Sequence, residues 1–232
     1  RCSRDWSSDV CSSDLKKIIS KFKKSDLGLS HYDEIAEHVE RHVGEIDNVF
    51  HEIVSDLVHI DILIIKPTED EPNYKLVTSG MSDKPMNYPK DWEYEKKEYV
   101  ELIFLLPGDW DIKNVHDEKC YWPIRLMKMI AKYPHIFNTF VESGHTIANE
   151  NYPHFAESTE MSGALLFEPL NYNEEFKSLK TKDGKTINFL TIFPLYKEEM
   201  EYKLEHGFNA LLDKMIENKV SFTLDEKRKK VI

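Results

Sequence analysis

From Val58 to Ile65 the apolar residues first fall on every second position, at Val58, Ile60, Ile62 and Ile64, and then occupy the alternate positions too, at Leu63 and Ile65. A two-residue period is that of a strand with one buried face, and the apolar end of the run adds a second. Pro67 stops it. The same reading gives strands at Tyr74–Thr78, Tyr99–Leu106, Gly163–Phe167 and Ile187–Leu195. Glu101 is the one charge inside the third of these runs, and Pro107-Gly108 ends it. Lys182-Asp183-Gly184-Lys185 precedes the last strand, and Asp-Gly flanked by alternating residues is a hairpin signal.

Around these strands the period changes to that of a helix. Lys16–Ser25 reads as a short amphipathic helix. A longer one is expected from about His31 to His51, with Ile35, Val39, Val43, Ile46, Val49 or Phe50, and Ile53 on one stripe, Ser30 as its N-cap and Gly44 as a point of interruption. Tyr121–Tyr133 is a third, with Pro123 in its first turn and Pro134 at its end. Glu198–His206 and Phe208–Asn218 are two helical pieces hinged at Gly207, sharing a stripe of Met200, Leu204, Phe208, Leu211, Leu212 and Met215. Gly144–Asn151 reads as a loop, and the charged tail from Asp225 is expected to fray. Strict strand–helix alternation and repeats are both absent. The chain is therefore expected to be α+β: a single domain with a central mixed or mostly antiparallel sheet flanked by helices.

Hydrophobic residues make up 41% and charged residues 31% of the 232 positions, a globular balance. No apolar run approaches the ~20 residues of a membrane span. The net charge of −11 disfavours nucleic acid, whose binders present a basic face, and suits a basic protein partner or simple solubility. Residues 1–15, RCSRDWSSDVCSSDL, repeat Ser-Ser-Asp without any structural period and lack the pattern of a secretory signal; they read as adapter- or vector-derived sequence. Without them Cys120 is the one cysteine left, which fits a reducing cytoplasm. If they are native, Cys2 and Cys11 could pair. The domain is then expected over 16–224, with 225–232 as tail.

Candidate chemistry is sparse. His38 and His42 lie four apart on a helix but lack the Glu that a zinc protease places after its first His, and they read as a solvated face. His59 and Asp61 share a strand face that Glu101 can join from a neighbouring strand; this set is either an inert polar network, a recognition site, or an acid–base or metal cluster. Ser79-Gly80-Met81-Ser82 lacks the nucleophile-elbow pattern, and Gly80 reads as a turn residue. Cys120, at a helix start, is a weak thiol candidate. Gly144-His145-Thr146 lies in a loop, where site residues concentrate. Aromatic residues reach 12%, and Trp110, Tyr121 and Trp122 are the candidate interface anchors. No catalytic set, metal site or cofactor motif is recognisable.

Several stretches resemble one family in order and spacing: VFHEIVSDLVHIDILIIKPTED (Val49–Asp70), YKLVTSGMSDKPMN (Tyr74–Asn87), YVELIFLLPGDW (Tyr99–Trp110), YWPIRLMKMIAKYPH (Tyr121–His135), GHTI (Gly144–Ile147) and FLTIFPLYKEEMEYKLEHG (Phe189–Gly207), then NALLDKM. They resemble the Suppressor-of-fused family in its compact bacterial form. The resemblance implies a non-enzymatic binding fold. Animal members carry a second domain, for which this chain is too short, and bind a short segment of Gli-type transcription factors by strand addition between the two. Bacterial members are assigned as immunity proteins that neutralise a toxin, here expected to be a basic toxin domain encoded nearby. The loop Ser79–Asp83, with Met81 and Ser82, matches the family's Gly-Met/Leu-Ser-Asp loop, and Asp83 is the first interface candidate. Asp61, Glu101, Trp122, Arg125, His145 and Thr146 match recurrent family positions. The expectation is a cytoplasmic protein-binding domain that meets its partner at a sheet edge. The alternative is a hydrolase or metal-dependent enzyme built on Asp61, His59, Glu101 and His145.

Overall fold

The computed structural model describes residues 31–52, 57–149 and 153–232. The segment 1–30, with the expected helix at Lys16–Ser25 and the Ser30 cap, lies outside the described residues. Helix α1 (Tyr32–His42) leads into β1 (Ile46–Phe50), β2 (Asp61–Ile65) and β3 (Asn73–Ser79). A short 3-10 turn (Met81–Asp83) precedes β4 (Tyr99–Pro107), which leads to α2 (Glu118–Phe137). Strands β5 (Thr146–Ala148), β6 (Met161–Phe167), β7 (Ser178–Lys180) and β8 (Thr186–Tyr196) follow, and α3 (Lys197–His206) and α4 (Phe208–Glu217) close the order.

All the strands join one mixed sheet in the order β1-β2-β3-β4-β8-β6-β5, with β7 pairing the first part of β8. The β4–β8 pair is parallel and every other pair is antiparallel. The α+β expectation is met, and the Asp-Gly turn does make a hairpin, with Lys180 opposite Thr186.

Both faces of the sheet are covered, which explains the doubly apolar runs. On the first face, Ile62, Ile64, Leu76, Leu102, Phe104, Leu190 and Ile192 pack against Trp122, Ile124, Met127 and Ile130 of α2. On the second, Leu63, Ile65, Val77, Ile103 and Leu105 pack against Ile35 and Val39 of α1, and Leu165, Phe167, Phe193 and Leu195 against Leu211 and Met215 of α4. Each fully buried large side chain contributes ~1.5–3 kcal/mol, so these layers dominate stability.

Several expectations need correction. The helix over His31–His51 stops at His42, because Gly44 takes φ 140° and Ile46–Phe50 pairs with β2 instead. Ile46, Val49 and Phe50 keep the helical spacing, and pairing with β2 overrides it, with a shift of register between Ile46 and Asn48. Pro123 lies in the second turn of α2, whose N-cap is Asp117, and the helix runs past Pro134 to the left-handed Asn138. Leu204 leaves its expected stripe and is 74% exposed, because Gly207, at φ 89°, turns α4 away from the line of α3. His38 is buried rather than solvated, stacked between Phe176 and Phe189 with Nε2–H donating to the Phe176 carbonyl at 3.0 Å. The tail does not fray: Val231 is buried, and Arg228 is bound to Glu199. Finally, the segment Gly144–Asn151, expected as loop, contains the short strand β5.

Candidate functional site

The residues singled out in the sequence fall into separate places. Asp61, at the start of β2, is fully buried and accepts hydrogen bonds from His51 Nδ1 at 2.8 Å, His59 Nε2 at 3.1 Å and the Glu52 amide at 3.1 Å. Glu52 in turn takes the Ile60 amide and the Lys132 ammonium. Tyr32 of α1 lies close enough that burial, with the Asp61 carboxylate adding to it, pushes its phenol up to about 12. His51 is a partner the sequence reading missed.

Glu101 belongs to a second network. Its carboxylate accepts from Thr78 Oγ1 at 2.6 Å, Ser82 Oγ at 2.6 Å, and the amides of Gly80 and Ser82 at 2.9 and 3.0 Å. Burial raises its pKa above the usual carboxylate value, against the pull of those donors. Gly80, at φ 116°, turns the chain so that both amides converge on this one charge. Ser79, Met81 and Ser82 are buried with it, and Asp83 is the residue of this loop that reaches partial exposure. His135 Nε2–H ties the loop to α2 through the Met81 carbonyl at 3.0 Å.

The four-residue cluster considered for an enzyme therefore splits. His59 and Asp61 meet, while Glu101 is held by its own loop. His145 lies against Phe140, with ring centroids 5.3 Å apart, and accepts from the Glu142 amide. Among the described residues no group of three or more His, Cys, Asp or Glu side chains is arranged to hold a metal ion. Of the anchors, Trp122 is core, stacked on Phe155 and donating to Glu226 at 2.9 Å. Trp110 donates to the Cys120 carbonyl at 2.9 Å. Tyr121 is half-buried near Phe50, its phenol raised by burial and by Glu118. Arg125 is tied to Glu118 and to the Phe155 carbonyl. Burial and the Asp117 charge raise the Cys120 thiol, the opposite of a reactive one.

Among the described residues, His145 and Thr146 lie where the sheet is open. Strand β5 pairs with β6 on one side and, among these residues, stands last in the sheet. The bonds Leu166 N–H to His145 O and Asn149 N–H to Ser162 O fix its register, with Thr146 opposite Leu165 and Ala148 opposite Gly163. In an antiparallel ladder the inward and outward residues alternate, so Thr146 and Ala148 turn their N–H and C=O groups away from β6. Among the described residues neither amide has another backbone acceptor.

The open edge borders a cavity of about 750 Å³ on the second face, lined by Thr146, Ala148 and Ser162 on one side and by Met200, Glu201 and Leu204 of α3 on the other. On the first face the leading end of β5 adjoins a cluster of Tyr88, Trp92 and Phe140, with ring centroids 4.3–5.6 Å apart. Neither feature was visible in the sequence, because β5 is too short to show a period and the rings come from separated segments.

No helix among the described residues is long and apolar enough to cross a membrane. None of the curated proteins compared matches the chain. Among solved structures it is similar to a putative Suppressor of fused homologue from Neisseria gonorrhoeae, at 17% identity and TM-score 0.61, covering 86% of this chain and 96% of that one. It is also similar to a chain of the Sufu–Fu complex, at 13% identity and TM-score 0.57, covering 88% and 92%. At these identities the likeness is one of fold. The family model for Suppressor of fused protein (SUFU) matches residues 56–229, from the approach to β2 through the bound C-terminal tail, and the chain belongs to that family.

Proposed function

We propose that the chain is a non-catalytic protein-binding module that takes an extended segment of its partner as an added strand along β5. The observation that carries this reading is the outward-facing backbone of Thr146 and Ala148 beside the α3 cavity. Main-chain hydrogen bonds to an open edge give affinity, and the side chains of the added strand, alternating between faces, give specificity. A related fold occurs in an assembly of Sufu with Fu, which supports a binding role for this one. The net charge of −11 favours a basic partner by speeding encounter. A toxin domain encoded nearby, neutralised by direct binding, is the finer reading, and the cytoplasm is its compartment.

The test uses Ala148→Pro. The Ala148 amide points away from β6, so proline removes an outward donor and leaves the β5–β6 ladder whole. The product of the neighbouring gene is co-expressed with the wild-type protein and with the variant. A complex and protection from toxicity with the wild type, both lost with Ala148→Pro, is the expected result. A complex that survives the proline overturns strand addition, and absence of any complex overturns the toxin partner.

A further inference from the structure

A strand added at β5 sends every second side chain to the first face of the sheet, where the aromatic cluster lies. Phe140 is the junction: its ring centroid is 5.3 Å from that of His145, 4.3 Å from Tyr88 and 4.8 Å from Trp92. Tyr94 extends the cluster outward, 5.6 Å from Trp92 and 75% exposed. The loop that carries Tyr88, Trp92 and Tyr94 also carries carboxylates. Asp91, Glu93 and Glu95 are exposed and form no ion pair among the described residues, and Lys97 is taken by Glu168 at 2.8 Å. With Glu98 these acids outnumber Lys90, Lys96 and Lys97. The Tyr88 hydroxyl donates to Glu142 at 2.7 Å, which brings one more carboxylate to the edge of the rings.

We propose that the patch of Trp92, Tyr94 and Phe140, backed by the buried Tyr88, binds a cationic side chain, arginine or lysine, on the segment that β5 receives. The proposal rests on the strand-addition reading and adds the chemistry of the segment. A guanidinium or ammonium is attracted to ring faces, and neighbouring carboxylates strengthen the attraction. An acidic or purely aliphatic side chain at the same place gains neither. The occupant is thus an extended, basic segment with its cation one or two residues beyond the part hydrogen-bonded to Thr146 and Ala148.

The probe is a blocked synthetic peptide, Leu-Arg-Val-Arg-Leu, compared by titration with its citrulline analogue, which keeps the shape and loses the charge. The wild-type protein is expected to bind the arginine peptide roughly threefold to tenfold more tightly than the citrulline peptide. Tyr94→Ala, at an exposed position that does not hold the core, is expected to shrink that difference by weakening the arginine peptide more than the citrulline peptide. Equal binding of both peptides by the wild type, equal weakening of both by Tyr94→Ala, or no binding of the arginine peptide at millimolar concentration each overturns the proposal. Ala148→Pro separates the two readings. If it abolishes both peptides while Tyr94→Ala changes nothing, strand addition stands and the cation site falls. If the charge preference survives the proline, the cation site stands and strand addition falls.

Discussion

Arg228 holds Glu199 with both terminal nitrogens, at 2.6 and 2.5 Å, and so fastens the end of the chain to the start of α3. Glu199 is fully buried, and its carboxylate also accepts the amides of Tyr196 and Val231. The guanidinium lies over Phe193 and Tyr196, about 5 Å from each ring. Because the pair is buried, removing one member leaves an unpaired charge in the core. Arg228→Met is expected to cost ~3–5 kcal/mol in urea unfolding. The double variant with Glu199→Gln is expected to recover most of it, since both charges are then gone. A double variant as unstable as the single would mean that packing of the tail, not charge pairing, holds this corner.

Gly163 makes room for Met200. A Cβ built on Gly163 would stand 1.7 Å from the Met200 sulfur and 2.5 Å from its methyl carbon. The sulfur belongs to a flexible side chain, so Gly163→Ala is expected to displace Met200 toward the cavity beside β5 rather than to unfold the domain, at a cost of ~1–3 kcal/mol. Partner binding along β5 is then expected to weaken, because the space between Ala148 and Leu204 fills. Unchanged methyl chemical shifts for Met200 would show that the side chain did not move.

The sequence announces the centre of the sheet and hides its margins, for physical reasons. Ile62–Ile65 and Leu102–Leu106 are apolar on both faces because α1 or α2 lies over each, and such runs are legible without a structure. Ile46–Phe50 carries the helical spacing alone, and the pairing with β2, through an irregular register, overrides it. Three residues, as in β5, cannot display a period at all. His59, Asp61, Glu101 and His145 are legible in the sequence as one possible cluster, and Thr146 as a family position beside it. Their division into a buried aspartate corner, a loop-holding glutamate and an open edge depends on distances between strands. Arg228 and Glu199, 29 residues apart, carry no mutual signature, so the tail read as loose.

Glu101 is the anchor of the Ser79–Asp83 loop, and its replacements should differ sharply. Glu101→Ala leaves the Gly80 and Ser82 amides and the Thr78 and Ser82 hydroxyls without their acceptor, at ~1–3 kcal/mol for each group left unpaired. That variant is expected to lose the loop, seen as rapid amide exchange at Gly80 and Ser82. Glu101→Gln keeps an oxygen for the two amides and should fold. Its pH behaviour is the sharper check. The folded-state pKa of Glu101 is raised, so the wild type loses part of its stability as pH rises above the ordinary value of 4.5 and Glu101 ionises in the core. The variant lacks that step, so its stability relative to wild type is expected to improve as pH rises through this window. A difference that does not change with pH would mean that the Glu101 pKa is the same folded and unfolded.

Acidification should act through three histidines. Burial lowers the pKa of His38, His135 and His145 below the ordinary 6.5, outweighing the carbonyls of Phe176 and Met81 that favour the charged rings of the first two and Glu142 that favours that of the third. A histidine with a depressed folded-state pKa binds fewer protons folded than unfolded, so its contribution is complete above 6.5 and is lost as pH falls below it. Urea midpoints are expected to hold between about pH 8 and about pH 7 and then to fall toward about pH 5, before the bulk of the carboxylates titrate. His38→Gln keeps an N–H for the Phe176 carbonyl and removes one titration, so it should flatten the fall. The position of His145 beside Thr146 carries the same sign to the open edge: protonation there is expected to loosen β5 and to repel a basic segment. Partner affinity should therefore drop in the same pH range, and His145→Gln should remove that drop while leaving neutral-pH affinity within about threefold. An affinity that falls equally with acid in the His145→Gln variant would place the sensitive group elsewhere, on the partner or at the carboxylates around Tyr94.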